Sequence, residues 1–482
     1  METEKKKLFS FDRNFSAIVN FTKPAKFKEL EKISKSEENF INVGSNLSYS
    51  PLSFSEKSIS ISLNGFNRIL NFDLKQKEIT VEAGITLAEL LNFTLNNNLW
   101  IPQLPGYPFI TLGGAIASNA HGKSCTIDGT IRHSVKSMRI FHKKNGWLNL
   151  SENENKDIFE LTLGGLGLTG TIVNVTLSLQ TITSTNFLTK KYEVLSLSEC
   201  IKMVKQKSKN KKSFIYSWNM ANNLSNLGKG IVFENTMSDD EKNINFNIPT
   251  KRKIFLKPFF STWNKISIAV ANKIFLQLHN LSKNIKKEDF IDVIFPYYGK
   301  ESYFNFFGKS GFIESQLLIP DNNIDEFLEE FKYLFKQHAP VITLLSFKNM
   351  SGEHSLLRFE DNMICMTLDY VNNKKNKLFM SEIDKLCVKY NILPSIIKDS
   401  RLAKSTVEKC YKNIGEFKEK IKMIAADRAL AGREEEMPIT AIHAVIGNTM
   451  KAPFPKNIDL AMFGMGCFWG AERRFWQLEG VY

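Results

Sequence analysis

The sequence predicts an α+β protein, and three observations carry that reading. Over residues 10–180, short β-branched runs punctuated by glycine and proline alternate with helical stretches. Over residues 181–424, aromatic strands alternate with longer helical segments. With 482 residues the chain also exceeds the usual size of one domain, so two or three are expected. In the first region, Ser58–Leu63, Glu78–Gly84 and Gly170–Leu179 have the alternation of half-buried strands, and residues Leu87–Asn97 read as helix. In the second, Phe312–Ile319 reads as a strand and Ile324–Gln337 as a helix. No internal repeat of fixed period is present.

Hydrophobic residues make up 43% and charged residues 24%, a globular balance that excludes a disordered or fibrous chain. The six cysteines are dispersed and form no CxxC pair, so neither a disulfide framework nor a metal site is expected. Met1–Lys7 leads into no apolar run, and no apolar stretch reaches the ~20 residues needed to span a bilayer. The expectation is a cytoplasmic protein. The net charge of +14 favours an anionic partner: a nucleotide, a phosphorylated substrate, a membrane surface or nucleic acid. A lysine-rich genome gives the same number, and nucleic acid rests on charge alone, so it is not expected as a partner.

A seam lies near residue 425. Residues 1–424 hold 51 Lys and 7 Arg, whereas residues 425–482 hold 2 Lys and 4 Arg. The change in cation preference predicts a third piece, 425–482, of different origin.

Three glycine-rich loops punctuate the first region. They are Val43–Ser50, Leu104–Lys123 and Leu163–Gly170. Glycine lets backbone approach a ligand closely, and successive N–H groups form anion nests. Each loop taken alone is equally a tight turn. Neither GxGxxG after a first strand nor GxxxxGK[ST] occurs, which disfavours Rossmann and P-loop folds.

In order and spacing these loops resemble the FAD-binding domain of the vanillyl-alcohol oxidase / p-cresol methylhydroxylase superfamily. The strings are Gly44–Tyr49, Val81–Gly84, Leu104–Gly106, Thr111–Ala115, Asn119–Lys123 and Gly164–Gly170. Within it, Ala120-His-Gly-Lys123, Asp292–Pro296, Gly311–Pro320 and Lys398–Arg401 are similar to the decaprenylphosphoryl-β-D-ribose 2′-oxidase family, so the resemblance spans about residues 10–424. It implies a two-subdomain FAD domain over 10–180 and an α+β substrate domain with an antiparallel sheet over 181–424. It also implies a closing helix near Thr406–Met423, a lipid-linked sugar substrate and a separate reductase that completes an epimerisation. The implied cofactor positions are Gly44, Ser45, Asn46, Leu47, Ser48 and Tyr49 in the first loop. In the second they are Pro105, Gly106, Tyr107, Leu112, Gly113, Gly114, Ala115, Ser118, Asn119, His121 and Gly122, followed by Gly129, Gly165, Gly170 and Ile172. Some superfamily members link FAD covalently to a histidine of the first loop. Residues 44–49 contain none, so non-covalent FAD is expected.

Oxidising a secondary alcohol moves a hydride to the flavin and a proton elsewhere, so cations near the developing oxyanion are needed. By resemblance Lys398 and Lys123 are the catalytic candidates, and Gln316, Lys348, Thr367 and Asp369 line the substrate pocket. In a chain with 53 lysines, any one of them is also readable as a solvated surface residue. His121 is equally readable as a histidine packed against its loop. Two departures from the family concern the substrate: Thr367 stands where the family has a reactive cysteine, with Cys365 two residues away, and Ser395 stands where it has a tyrosine.

Residues 251–276 mix basic and aromatic side chains, which suits the surface of an anionic membrane; an amphipathic helix packed on its own domain is the alternative. In the tail, Phe463-Gly-Met-Gly-Cys-Phe-Trp-Gly470 resembles the start of the peptide methionine sulfoxide reductase A family, an α/β domain. That resemblance makes Cys467 a nucleophile in a methyl-binding pocket of Phe468 and Trp469. It covers the first quarter to third of that family's domain and leaves out the downstream acid and tyrosines. Sulfoxide reduction through Cys467 is the rival activity.

Overall fold

The computed structural model describes residues 3–35, 39–239, 246–248, 260–281 and 284–426. Met1–Lys418 forms one compact unit, and of the second, which begins at Glu419, the described part is the end of a helix at Ala426. The first unit opens with β1 (Glu4–Phe9), β2 (Ser16–Thr22), α1 (Phe27–Lys35), β3 (Phe40–Val43) and β4 (Ile59–Ser62), in a sheet of order β1-β2-β4-β3. A second, antiparallel sheet of order β5-β6-β9-β7-β8 uses β5 (Ile69–Asp73), β6 (Glu78–Glu82), β7 (Val135–His142), β8 (Gly146–Ser151) and β9 (Thr171–Ser178). Leu30, Ile59 and Ile61 pack with Phe141 and Val173, closing the two sheets into one layered body.

Helix α2 (Leu87–Thr94) starts at a capping box: Thr86 Oγ1 accepts from Glu89 N, and Glu89 accepts from Thr86 N at 2.8 Å. Its buried leucines join α3 (Leu112–Ala117) and the inner face of β6 and β9 in a large core. The short helix α4 (Lys156–Thr162) leads into the third glycine-rich loop.

An eight-stranded sheet follows: β10 (Asn186–Val194), β11 (Ser213–Asn219), β12 (Gly230–Met237), β13 (Ile285–Asp289), β14 (Phe312–Ile319), β15 (Ile342–Asn349), β16 (Ile364–Val371) and β17 (Leu393–Pro394). Their order is β13-β10-β12-β11-β15-β16-β14-β17. One face is covered by α5 (Leu197–Lys207), α7 (Ile324–His338) and α8 (Lys374–Lys389), whose apolar residues pack with Ile313, Leu317, Leu345, Phe347, Met366 and Leu368. Across the other face runs α6 (Lys265–Leu281), its Phe275 ring 4.0 Å from that of Trp218 on β11. Residues 251–259 lie outside the described residues.

The strands and helices expected from sequence are found within a residue or two of their bounds, the helix expected over Leu87–Asn97 being α2 continued by a 3-10 turn at Leu95–Asn97. One helix differs. In place of a single helix over Thr406–Met423 there are α9 (Lys404–Cys410) and α10 (Ile414–Ala426). The break falls at Tyr411, whose hydroxyl is drawn inward to donate to Pro394 O at 2.7 Å. Satisfying a buried hydroxyl outweighs continuing the helix by one turn.

Phe331 of α7 is fully buried between Phe327, Phe335 and Phe379. Phe331→Ala removes the centre of this aromatic layer and should cost ~3–5 kcal/mol in a urea titration. A loss below ~1 kcal/mol would show that the helical layer tolerates the cavity by collapsing into it.

Candidate active site

The three glycine-rich loops converge on α3. Thr111 caps this helix, its Oγ1 accepting from Gly114 N at 3.3 Å, while Gly113 N donates to Ala83 O at 2.7 Å. Gly44 lies so close that a Cβ there would stand 2.2 Å from Thr111 Oγ1, which presses the first loop onto the second. The third loop is stitched to the same helix by Gly164 N to Ile116 O at 3.0 Å and Leu166 N to Ala117 O at 2.8 Å. Gly122 folds the second loop back on itself, since a Cβ there would stand 2.0 Å from Leu104 O.

Among the described residues, the backbone N–H groups of Ser45 to Tyr49 donate to no protein acceptor. Asn46 adopts a left-handed φ of 53°, and its side chain is tied to Phe9 O at 3.0 Å. A run of open N–H groups around a left-handed residue is an anion nest. It fits the pyrophosphate of FAD, and no charged side chain is needed to hold it.

The large sheet supplies the opposite wall. Glu314 faces Asp369, Gln316 faces Thr367, Ser346 faces Thr367, and Lys348 faces Cys365 across neighbouring strands. Side chains alternate along a strand, so these residues share the face turned away from the α5–α7–α8 core. The loop after β17 closes the site: Ser395 N donates to Gln316 O at 2.8 Å, and Ser50 Oγ donates to Ile396 O at 3.0 Å.

A directional row of hydrogen bonds joins the two walls. Lys348 Nζ lies 2.8 Å from His121 Nδ1 and donates to Gly122 O at 3.2 Å. A lysine ammonium only donates, so Nδ1 accepts and the ring proton sits on Nε2. Nε2 then donates to Gln316 Oε1 at 3.1 Å, and Gln316 Nε2 donates to Glu314 Oε1 at 2.8 Å. Lys398 Nζ stands 3.3 Å from the same Glu314 oxygen and 3.8 Å above the Tyr49 ring. Tyr303 donates to Asp369 Oδ2 at 2.7 Å.

Burial, then the nearby Glu314, pushes the Asp369 pKa well above the usual carboxyl range. Burial, then the positive Lys348 and Lys398, holds His121 well below its ordinary 6.5 and keeps the ring neutral. Lys123 donates to Val293 O and lies 3.9 Å over the Tyr216 ring. Burial, reinforced by Lys348 and Lys300 and opposed by Glu288 and Asp292, lowers its pKa to about 7. The Cys365 thiol is pushed up to about 11, chiefly by burial, so it is no nucleophile.

Of the residues expected from sequence, Tyr49, His121, Gln316, Lys348, Thr367, Asp369 and Lys398 come together here, with Lys123 at one edge. Others support the loops from within. Asn119 donates to buried Glu360 at 3.2 Å, which also accepts from Thr130 and Arg132. Ser118 Oγ donates to Gly114 O at 2.8 Å, Tyr107 donates to Glu301 at 3.2 Å, and Gly129 sits beneath the His133 ring. Cys467, Phe468 and Trp469 lie outside the described residues. Glu314 and Tyr303 were not anticipated. Glu314 left a signal, as the one charged residue in the strand run Phe312–Ile319, two residues before Gln316 and therefore on its face.

The neutral His121 has a consequence for stability. An unfolded chain takes up a proton near pH 6.5 that the folded chain refuses, so stability is full above that pH and falls as pH drops toward the folded-state value. Between pH 7.5 and 5, the protein should lose ~1.4 kcal/mol per pH unit more than His121→Gln once below the unfolded value, read from urea midpoints. Equal losses would mean that the ring is charged in the fold.

Comparison with known proteins agrees with this geometry. Residues 16–151 match the family described as FAD binding domain. The chain is 22% identical over 380 residues to decaprenylphosphoryl-beta-D-ribose oxidase of Mycolicibacterium smegmatis, covering 74% of this chain and 80% of that protein. Short segments also match peptide methionine sulfoxide reductases. The match to MsrA 1 of Synechocystis is 54% identical over 66 residues, 14% of this chain and 30% of that protein. The match to the mitochondrial enzyme of Mus musculus is 59% identical over 61 residues, 13% of this chain and 26% of that protein. The chain thus spans under a third of the length of these reductases. Residues 16–151 thus match an FAD binding domain, and over most of its length the chain is distantly similar to a decaprenylphosphoryl-beta-D-ribose oxidase.

Proposed function

We propose that this protein oxidises a secondary alcohol of a pentose carried on a polyprenyl phosphate, with FAD bound non-covalently. The observation that carries the reading is the row Lys348–His121–Gln316–Glu314, with Lys398 at its acidic end, where the nucleotide-binding loops meet the sheet. FAD, when bound, supplies the acceptor for the hydride that leaves the sugar carbon.

The chain's own residues do the rest. The N–H groups of Ser45–Tyr49 hold the pyrophosphate, and that loop offers no histidine for a covalent link. Gln316 is locked by His121 on one side and Glu314 on the other, so it can orient a sugar hydroxyl without moving. Lys398 stabilises the negative charge that grows as hydride departs. Lys123, with its proton affinity set to about 7, takes the alcohol proton at Nζ. Thr367 and Asp369 shape the pocket around the ring. The resulting ketone is consumed by a separate reductase, which completes an epimerisation. The distant relationship to a decaprenylphosphoryl-beta-D-ribose oxidase supports this substrate class. A second reading, sulfoxide reduction through Cys467, is favoured by the 54% identity over 66 residues alone.

Anaerobic mixing with a polyprenyl-phosphate-linked pentose should bleach the flavin absorbance. Lys398→Ala should keep FAD but bleach ~10²–10³-fold more slowly, the usual effect of removing one charge-stabilising donor. The surface variant Lys209→Ala should match the parent. Equal rates for parent and Lys398→Ala would remove Lys398 from the chemistry, and no bleaching by any lipid-linked pentose would reject the substrate class.

A further inference from the structure

We infer that the outer face of α6 docks this protein onto the surface of an anionic phospholipid bilayer. This deepens the lipid-linked substrate reading and rests on it for its purpose, although the binding itself needs no substrate. Helix α6 has two unlike faces. Its inner face is satisfied: Ile268 and Asn272 are buried, Phe275 packs on Trp218, and the His279 ring lies 5.4 Å from Phe233. Its outer face carries Ile266 (77% exposed), Val270 (53%), Ile274 (52%) and Leu278 (64%). At four-residue spacing these side chains form one continuous aliphatic line along the helix.

Charge identifies the occupant. The 17 residues of α6 include no Asp or Glu, while Lys265 and Lys273 are exposed. At the foot of the helix, Phe260 and Phe306 are also exposed, held together through Thr262 N to Phe306 O at 2.8 Å, and Trp263 donates to Tyr303 O at 3.2 Å. An aliphatic stripe flanked by lysines and footed by aromatics, with no acid, suits the boundary between acyl chains and anionic headgroups. Among the described residues nothing covers it. The position also fits the chemistry. Trp218, beneath α6, is two residues from Tyr216, over which Lys123 lies, so both rings stand on the sheet face that carries the site.

The test is co-sedimentation of the full chain with vesicles of equal phosphatidylglycerol and phosphatidylcholine, with pure phosphatidylcholine alongside. The protein should pellet with the anionic vesicles and far less with the neutral ones. Val270→Glu/Ile274→Glu should lower partitioning at least ~10-fold, and Lys265→Gln/Lys273→Gln by about fivefold per lysine, both with unchanged flavin absorbance. The lysine pair serves if the glutamate pair fails to fold. No pelleting with anionic vesicles, equal binding by these variants, or a stripe-dependent dimer in place of vesicle binding would each overturn the proposal. Flavin bleaching by soluble substrate is a separate readout, so loss of docking leaves the oxidation reading standing.

Discussion

The row of hydrogen bonds from Lys348 to Glu314 is what makes two separately built walls into one site. His121 is 195 residues from Gln316 and 227 from Lys348, so local structure brings none of these groups together. Each link is only of ordinary strength, about 1 kcal/mol net. The cost of breaking it is larger, because a buried polar group left without its partner loses ~1–3 kcal/mol of solvation. The row therefore constrains everything around it. Gly122 must pass against Leu104 so that His121 faces the sheet. The strands must keep their register, because a slip of one residue would turn Gln316, Glu314 and Lys348 into the apolar helical core.

The same row explains the charges. Lys348 and Lys398 face Glu314 and Asp369, the Asp369 pKa being pushed upward by burial and by Glu314, and Lys123 stands at the edge. The balance among these groups leans positive. That suits an anionic cofactor, a phosphorylated carrier and negative charge developing on a substrate oxygen. The neutrality of His121 belongs to the same arrangement: between two ammonium groups it is more use as a fixed dipole than as a third cation.

Much of this was legible in the chain. The glycine-rich loops marked themselves by their glycine content, order and spacing, and the strands and helices by their periods of two and 3.6 residues. Gln316, Lys398, Lys123 and His121 stand in the quoted family strings and Lys348 was named by resemblance alone; the fold brings the five near one another. What sequence could not supply was connectivity. Glu314 pairs with Asp369 only through the antiparallel register of β14 and β16. Tyr303 reaches Asp369 from a separate turn 66 residues away. The break between α9 and α10 depends on one tertiary hydrogen bond from Tyr411 to Pro394, which helix propensity cannot foresee. For residues 251–276 the sequence left a membrane-facing segment and a packed amphipathic helix as alternatives, because an apolar period tells that a helix has a face but not which part of it the fold covers.

The central claim is that three glycine-rich loops cradle FAD without a covalent bond. The visible spectrum of the purified protein, followed by acid precipitation, tests it most directly. The account predicts a yellow protein with flavin absorbance, a colourless pellet, and intact FAD in the supernatant. A protein that purifies colourless and takes up no FAD on reconstitution, or flavin that stays with the precipitated chain, would contradict it.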